Sequence, residues 1–287
     1  MKAIRQHEHG GPEHLVLEEV PDPTPGAGQV RIAVEASGVH LLDTSIRAGT
    51  GFGPLGPPEL PMTPGREVAG VVDGVGPGAD ASWIGRRVVV HLGSASGGYA
   101  TLAVASVDDL FPLADHVSSI DAVAMVGTGR TALAVLEVAA IDTGDVVIVP
   151  SAAGGLGALL VQSAVACGAT VVGLAGGPQK VDVVRRLGAD VALDSLDDAW
   201  PRQARAALGE RQPTVALDGV GGPVGRAVFD LVGPGGRAIL FGYSSGTPTE
   251  IDADLLFSSG VTVTAAIGAR IAARPGGIRG LAADALT

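Results

Sequence analysis

One stretch of this chain has the residue types and spacing needed to hold a pyrophosphate. Residues 146–157 read VVIVPSAAGGLG, a β-branched apolar run followed by a turn of small residues, and an apolar helix pattern begins at Ala158. In such a strand–turn–helix unit, Gly154 lets the backbone approach the anion and Gly157 lets the helix pack closely on the strand. The pattern Ala152-x-Gly154-x-x-Gly157 lacks the first glycine of the usual fingerprint. A turn built only for packing is therefore the alternative interpretation.

The elements that must position this turn alternate regularly along the chain. Apolar strand patterns occur at 169–174, 190–193, 214–218 and 237–241, and helix patterns occur at 178–187, 197–208 and 222–231. Short strands without polar alternation are typical of a parallel sheet that is covered on both faces. Residues 119–267 are therefore predicted to form one doubly wound α/β domain.

The composition argues against several classes of partner. The formal net charge is −11, which does not fit a nucleic-acid surface, because phosphate binding needs clustered Lys and Arg. Residues 146–179 carry no charge, but seven glycines interrupt them, so no membrane span is expected. The opening Met-Lys-Ala-Ile-Arg has no apolar signal core, and a cytoplasmic location is expected. The single cysteine, Cys167, excludes an internal disulfide and is expected in the core.

Residues 1–118 have a different pattern. Short strand patterns are separated by Pro and Gly at regular spacing, which indicates a compact β-rich domain. The segment 49–64 is a long loop rich in Gly and Pro, and loops of this length are often part of a binding site.

Several motifs resemble one known family. The opening residues 1–49, and then in order PGREVAGVV, GGYA, AAGGLG, LGAD, LDGVGG and PGGRAILFGYSSG, are similar to the zinc-independent quinone oxidoreductases of the medium-chain dehydrogenase/reductase superfamily, the zeta-crystallin group. The resemblance implies a GroES-like catalytic domain over 1–118 and a Rossmann domain over 119–267. It also implies reduction of a small electrophile by NADPH.

The resemblance also bears on whether the protein binds a catalytic zinc ion. Zinc-dependent relatives have a catalytic cysteine in the region of His40 and a Gly-His-Glu turn. Here the first region has no cysteine, and the turn reads Gly65-Arg66-Glu67. Arginine is always protonated and cannot ligate zinc. We therefore expect no metal.

The residues at the end of the predicted second strand indicate which dinucleotide is bound. NAD sites usually have an acid there, whereas this chain reads LAGGPQK. The resemblance places Lys180 against the 2′-phosphate of NADPH; the alternative is an ordinary residue in a helix first turn. A tyrosine common in the family after the third strand appears here as Ser195. The resemblance implies cofactor contacts at Thr131, Ala153, Gly154, Gly155, Leu156, Lys180, Ser195, Val220, Phe241, Gly242 and Tyr243.

Without a metal, the acceptor must be polarised by hydrogen bonds, which suits quinones and other electron-poor substrates. The candidate catalytic residues are His40, Asp43 and Thr44. The family more often has asparagine at the position of His40, and a histidine there could also supply a proton. A structural histidine is the alternative. Phe52 and Arg130 are candidate substrate contacts, with loop anchoring and a helix-surface position as their alternatives.

Three functions remain open at this point. The first is an NADPH:quinone reductase, the second an enoyl or alkenal double-bond reductase, and the third a catalytically silent dinucleotide-binding protein. Loop shape decides between the two acceptor classes, and the sequence does not show it.

The end of the chain carries two further expectations. The resemblance implies several further elements beyond residue 287, so residues 268–287 are interpreted as the start of a return to the catalytic domain. The favoured interpretation is that the remainder is missing from this sequence, and the alternative is a shortened protein. The apolar segment from Val261 to Ile267 is interpreted as an edge strand. An uncovered apolar edge favours association, so a homodimer through residues 261–267 is expected.

Overall fold

The computed structural model describes residues 1–50, 56–94 and 96–287. They form two compact units. The first consists of Met1–Gly127 together with Ala282–Thr287, and the second is Thr128–Leu281.

The division between the units differs from the predicted one. It falls after Gly127 rather than after residue 118, because Ala122 and Val123 of one helix pack with Ala69 and Val89 of the first unit. Residues 268–281 belong to the second unit, so only the last six residues, Ala282–Thr287, return to the first.

The first unit is built on antiparallel sheet, as predicted for a β-rich domain. Its five-stranded sheet has the order β6-β3-β4-β5-β7, and β1 pairs with β2 separately. Alternate valines and alanines of these strands point into one core, so that β6 shows a strict alternation of buried and half-buried residues. The strands are β1 Lys2–Gln6, β2 Leu15–Glu19, β3 Gln29–Ser37, β4 Glu67–Val75, β5 Arg87–His91, β6 Leu102–Ser106 and β7 Phe111–Pro112.

The second unit is a six-stranded parallel sheet of order β10-β9-β8-β11-β12-β13. This is the order of a doubly wound dinucleotide-binding sheet, and it confirms the predicted fold. All four residues of β8 are buried, with Val147 and Val149 in one core and Val146 and Ile148 in the other. The strands are β8 Val146–Val149, β9 Thr170–Ala175, β10 Val191–Asp194, β11 Val215–Asp218, β12 Arg237–Leu240 and β13 Thr262–Ala265.

Ten helices are found in the described ranges. They are α1 Leu41–Arg47, α2 Ser119–Ala124, α3 Arg130–Ala139, α4 Gly155–Ala166, α5 Pro178–Arg186, α6 Trp200–Leu208, α7 Gly222–Phe229, α8 Ala253–Ser259, α9 Ala269–Ala273 and α10 Gly277–Ala285.

One carboxylate joins the amino-terminal ends of three neighbouring strands. Asp145, just before β8, accepts hydrogen bonds from the hydroxyl of Thr214 (2.6 Å) and from the guanidinium of Arg237 (2.7 Å). Thr214 directly precedes β11, and Arg237 is the first residue of β12. These bonds lower the pKa of Asp145, although burial opposes them.

The structure bears on two points about apolar segments: a candidate membrane span and the position of Cys167. The continuous helical stretch Ser119–Ala139 is long and apolar enough to cross a bilayer, but half of it is buried inside the protein. Packing therefore accounts for its composition. The expectation that Cys167 is buried is wrong: it caps the end of α4 and is exposed, because the apolar face of that helix ends with Leu160, Val161 and Ala164.

Candidate active site

His40 stands between β3 and α1, where it caps the start of the helix. Its Nε2 lies 2.5 Å from Oε2 of Glu67, and its side chain is 26% exposed. The hydrogen bond to Glu67 raises the pKa of His40, against the opposing effect of burial. The histidine predicted from sequence is therefore half of an acid–base pair.

Glu67 is the partner that sequence reasoning missed. It is the first residue of β4, and its side chain is 1% exposed. Its other oxygen, Oε1, is buried and has no hydrogen-bond partner among the described residues. Gly38 and Gly127 make room for the carboxylate, because a Cβ at either position would overlap it. Glu67 is therefore a buried carboxylate whose short contact is the one with His40.

His91 faces the second oxygen of this carboxylate. It ends β5 directly opposite Glu67 in the antiparallel register, and its Nε2 lies 3.8 Å from Oε1. Its Nδ1 accepts the backbone N–H of Gly93, so the neutral ring carries its hydrogen on Nε2. The Nε2–H group of a neutral His91 therefore lies on the side of the ring that faces Glu67.

Asp43 and Tyr99 form a second pair at the same helix start. The phenol of Tyr99 donates to Oδ2 of Asp43 at 2.7 Å, and the same oxygen accepts the backbone N–H of His40 at 2.9 Å. Burial, followed by the Asp43 carboxylate, raises the pKa of Tyr99. Gly65 has a φ of +92°, and a Cβ there would overlap Tyr99. Asp43 thus fixes the backbone that carries His40.

The remaining predicted residues of this unit stand apart from the cluster. The hydroxyl of Thr44 donates to the carbonyl of Leu41 on an exposed face of α1, and its catalytic role stays a prediction. Phe52 lies outside the described residues.

No evident metal centre is found in this cluster of described residues. In the ranges that the structure describes, no group of three His, Cys, Asp or Glu side chains is arranged to hold an ion. Arg66 donates from Nε to the carbonyl of Gly93. The expectation of a metal-free protein stays a prediction.

The second unit presents the glycine turn as the sequence predicts it. Gly154 caps α4 in an extended conformation, and both Gly154 and Gly155 are exposed. A Cβ at Gly157 would overlap the carbonyl of Ser151, so this glycine is required where the helix crosses the turn. The first-turn amides of α4 have no hydrogen-bond partner within the described part of the chain. Such free amides beside open space can receive an anion.

The carboxyl ends of β9 and β10 lie side by side and bring together the residues proposed for specificity. Lys180 is exposed in the first turn of α5, and the amide of Ser195 bonds to the carbonyl of Ala175. Sequence reasoning missed Asp194, whose Oδ1 accepts the amides of Gly177 and Leu196 at 2.8 and 2.9 Å. These two bonds lower the pKa of Asp194.

The carboxylate at the end of β11 fixes the loop that follows that strand. Asp218 is buried, and its Oδ1 accepts the amides of Val220 and Gly221. The amide of Phe241 bonds to the backbone carbonyl of Asp218, while Tyr243 is exposed. The loop of Val220 and the segment from Phe241 through Gly242 to Tyr243 therefore share one edge of the sheet.

Arg130 and Thr131 open α3, whose start lies beside the glycine turn. A methyl group of Thr128 is 3.8 Å from where a Cβ on Gly155 would stand. A groove of about 600 Å³ in this unit is lined instead by Glu137, Arg270, Arg274 and apolar neighbours, and it contains none of the predicted site residues. The roles assigned to Arg130 and Thr131 stay predictions.

Comparison with known proteins gives a consistent set of matches. Residues 26–115 match the family model "Alcohol dehydrogenase GroES-like domain", and residues 155–282 match "Zinc-binding dehydrogenase". A quinone oxidoreductase of Sus scrofa is 34% identical over 88% of this chain and 75% of its own length. Quinone oxidoreductase 1 of Escherichia coli is 30% identical over 90% and 77%, and a 2-haloacrylate reductase of Burkholderia is 32% identical over 85% and 74%.

Solved structures agree with these matches. A mycobacterial protein in complex with NADPH has a TM-score of 0.82 and 33% identity, covering 99% of this chain and 87% of its own. The quinone oxidoreductase of Escherichia coli in complex with NADPH also has a TM-score of 0.82, with 27% identity and coverage of 99% and 85%.

Proposed function

The chain belongs to the medium-chain dehydrogenase/reductase superfamily, among the quinone oxidoreductases, and from this premise we propose that it is an NADPH-dependent oxidoreductase that reduces a quinone or a similarly electron-poor acceptor. The observation that supports this most is the exposed glycine turn of α4 at the carboxyl edge of the parallel sheet. Two structural relatives carry NADPH.

The residues of the second unit fit a bound dinucleotide. Gly154 and Gly155 are exposed beside unpaired helix amides, which suits a pyrophosphate. The edge residues Val220, Phe241, Gly242 and Tyr243 and the helix residue Thr131 are the proposed contacts for the rest of the cofactor. When bound, NADPH supplies the hydride.

Selectivity for the phosphorylated cofactor is assigned to Lys180 and Ser195. Their charge and hydroxyl suit a 2′-phosphate, and β9 ends at Ala175 and is followed by Gly176 and Gly177, without the acid typical of NAD sites. The carboxylate of Asp194 is directed to the amides of Gly177 and Leu196.

The first unit supplies the proton. Reduction of a quinone to a hydroquinone consumes one hydride and one proton, and His40 is the partly exposed acid of the described cluster. Asp43 orients His40 through its backbone, and Thr44, Phe52 and Arg130 remain proposed contacts. We propose that no metal takes part, because Arg66 occupies the position of a zinc-ligating histidine and cannot bind the ion.

A second candidate function is the reduction of an activated carbon–carbon double bond. The 2-haloacrylate reductase at 32% identity favours it. The two are separated by NADPH and NADH oxidation assays against a panel of quinones and enones. Turnover of quinones alone supports the first function, and turnover of enones alone supports the second. Binding of NADPH without turnover of either class would leave only a silent dinucleotide-binding protein.

We propose that two copies associate through the edge of the second unit. Strand β13 pairs with β12 on one side only within the described sheet, and Phe257 on the preceding helix α8 is 89% exposed. An open edge beside an exposed aromatic residue favours pairing with a second copy. Light scattering at micromolar concentration tests this proposal: a dimer mass supports it, and a monomer mass contradicts it. A cytoplasmic location also stays a proposal.

A further inference from the structure

The side chain of Glu67 is almost fully buried, unlike a surface carboxylate. It nevertheless makes fewer hydrogen bonds than a buried structural carboxylate does. It is 1% exposed, only Oε2 is hydrogen-bonded, and the bond goes to His40. Oε1 has no hydrogen-bond partner in the described ranges and lies 3.8 Å from Nε2 of His91. Burying a carboxylate without full compensation is costly, so the bond to His40 is the main compensation that the described contacts supply.

We propose that Glu67 is the positioning residue of the first unit: its buried carboxylate orients the imidazole of His40 and keeps it protonated, ready to give a proton to the reduced acceptor. The transfer to an acceptor rests on the proposed function, whereas the pairing itself does not. His91 is the second hydrogen-bond donor available to the same carboxylate.

The proton balance of this step is simple. Addition of a hydride to a quinone gives the hydroquinone monoanion. An N–H bond of the His40 imidazolium then breaks, and an O–H bond forms on the acceptor. His40 is left neutral. It takes its next proton from solvent, because about a quarter of its side chain is exposed. Glu67 acts through His40 and does not touch the acceptor.

The charges around His40 favour the same protonation state. Asp43 adds a second negative charge that raises the pKa of His40, and Arg66 opposes it. Tyr99 is bonded to Asp43, and His91 approaches Glu67 from β5. Glu67 is the only one of these groups whose side chain bonds directly to the His40 ring within the described part of the chain.

The test follows the imidazole of His40 by NMR in the full-length protein, without cofactor or acceptor. Glu67→Gln keeps the shape of the side chain and removes its charge. Loss of an opposite charge at this distance is expected to lower the pKa of His40 by about 1–3 units. His91→Gln leaves the 2.5 Å contact in place and is expected to have a smaller effect. Asp73→Asn, on the exposed end of the same strand, is the matched control and is expected to have none.

Kinetics give the second readout. In E67Q the pH above which kcat falls moves downward by the same amount, while the Kd for NADPH is unchanged. An unchanged His40 titration in E67Q overturns the proposal, and so does a wild-type His40 that titrates at or below its ordinary pKa, even where E67Q does not fold. Absence of turnover with any acceptor would overturn the proposed function but not the pairing, which NMR measures independently.

Discussion

The phenolic oxygen of Tyr99 lies 2.7 Å from the carboxylate of Asp43, and the oxygen that accepts this bond also accepts the backbone N–H of His40. The phenol and the backbone of the candidate acid are therefore joined through one atom. Removal of the hydroxyl in Tyr99→Phe leaves Asp43, which is 8% exposed, with one donor fewer. We expect the free energy of unfolding to fall by about 1–3 kcal/mol, measured by chemical denaturation. Tyr243→Phe alters an exposed phenol and is the control; equal losses in both variants would contradict the assigned role of the bond.

The pair of His40 and Glu67 predicts how stability depends on pH. The pKa of His40 is raised on folding, so its stabilising effect is fully present below the ordinary pKa of histidine, about 6.5. It is lost as the pH rises through the folded-state pKa. We therefore expect the difference in unfolding free energy between the wild type and His40→Asn to be largest in mildly acidic solution and to shrink in alkaline solution. A difference that grows with pH would contradict the sign of the shift.

The two neighbouring glycines of the dinucleotide turn are expected to respond differently to the same substitution. A Cβ at Gly157 overlaps the carbonyl of Ser151, whereas a Cβ at Gly155 makes only an ordinary van der Waals contact, with Thr128 at 3.8 Å. Gly157→Ala should lower the free energy of unfolding by about 1–3 kcal/mol. Gly155→Ala should fold normally and bind NADPH more weakly, because its methyl group stands in front of the helix amides. Thermal unfolding and calorimetric titration of both variants check this, and normal folding of G157A would contradict the packing argument.

Lys180 is expected to distinguish the two nicotinamide cofactors. Lys180→Gln removes an exposed ammonium from the first turn of α5, and we expect the Kd for NADPH to rise about tenfold, which corresponds to about 1.4 kcal/mol. The Kd for NADH should change little, because that cofactor has no 2′-phosphate. Arg186→Gln, exposed at the other end of the same helix, is the control. A similar loss for both cofactors would assign Lys180 to another role.

The sequence predicts the second unit well because its signals are local. Consecutive residues specify both the turn from Pro150 to Gly157 and the alternation of apolar strands with helices. The observed strand order is the usual one for such units. The close approach at Gly157 was anticipated for the same reason. The division between the units was placed too early, because the packing of Ala122 and Val123 on Ala69 and Val89 depends on contacts far apart in the chain.

The cluster in the first unit was predicted only in part. His40 and Asp43 stand in one motif, but Glu67 and His91 meet through the register of β4 and β5, which the sequence does not specify. Glu67 had been considered only as part of the turn that contains Arg66. A charged residue at the start of an otherwise apolar run, VAGVV, was the available signal. The exposure of Cys167 was missed because a helix end can face either way.

The carboxylate of Asp145 has a consequence for redesign of this molecule. It ties β8, β11 and β12 at their amino-terminal ends, through Thr214 and Arg237, whereas the residues proposed to contact the cofactor lie in loops at the opposite ends of the same strands. The contacts that fix the strand register therefore lie at one end of these strands, and the loops proposed to contact the cofactor lie at the other. The loops after Asp218 and Leu240 are therefore the segments in which new specificities can be grafted while the strands keep their alignment.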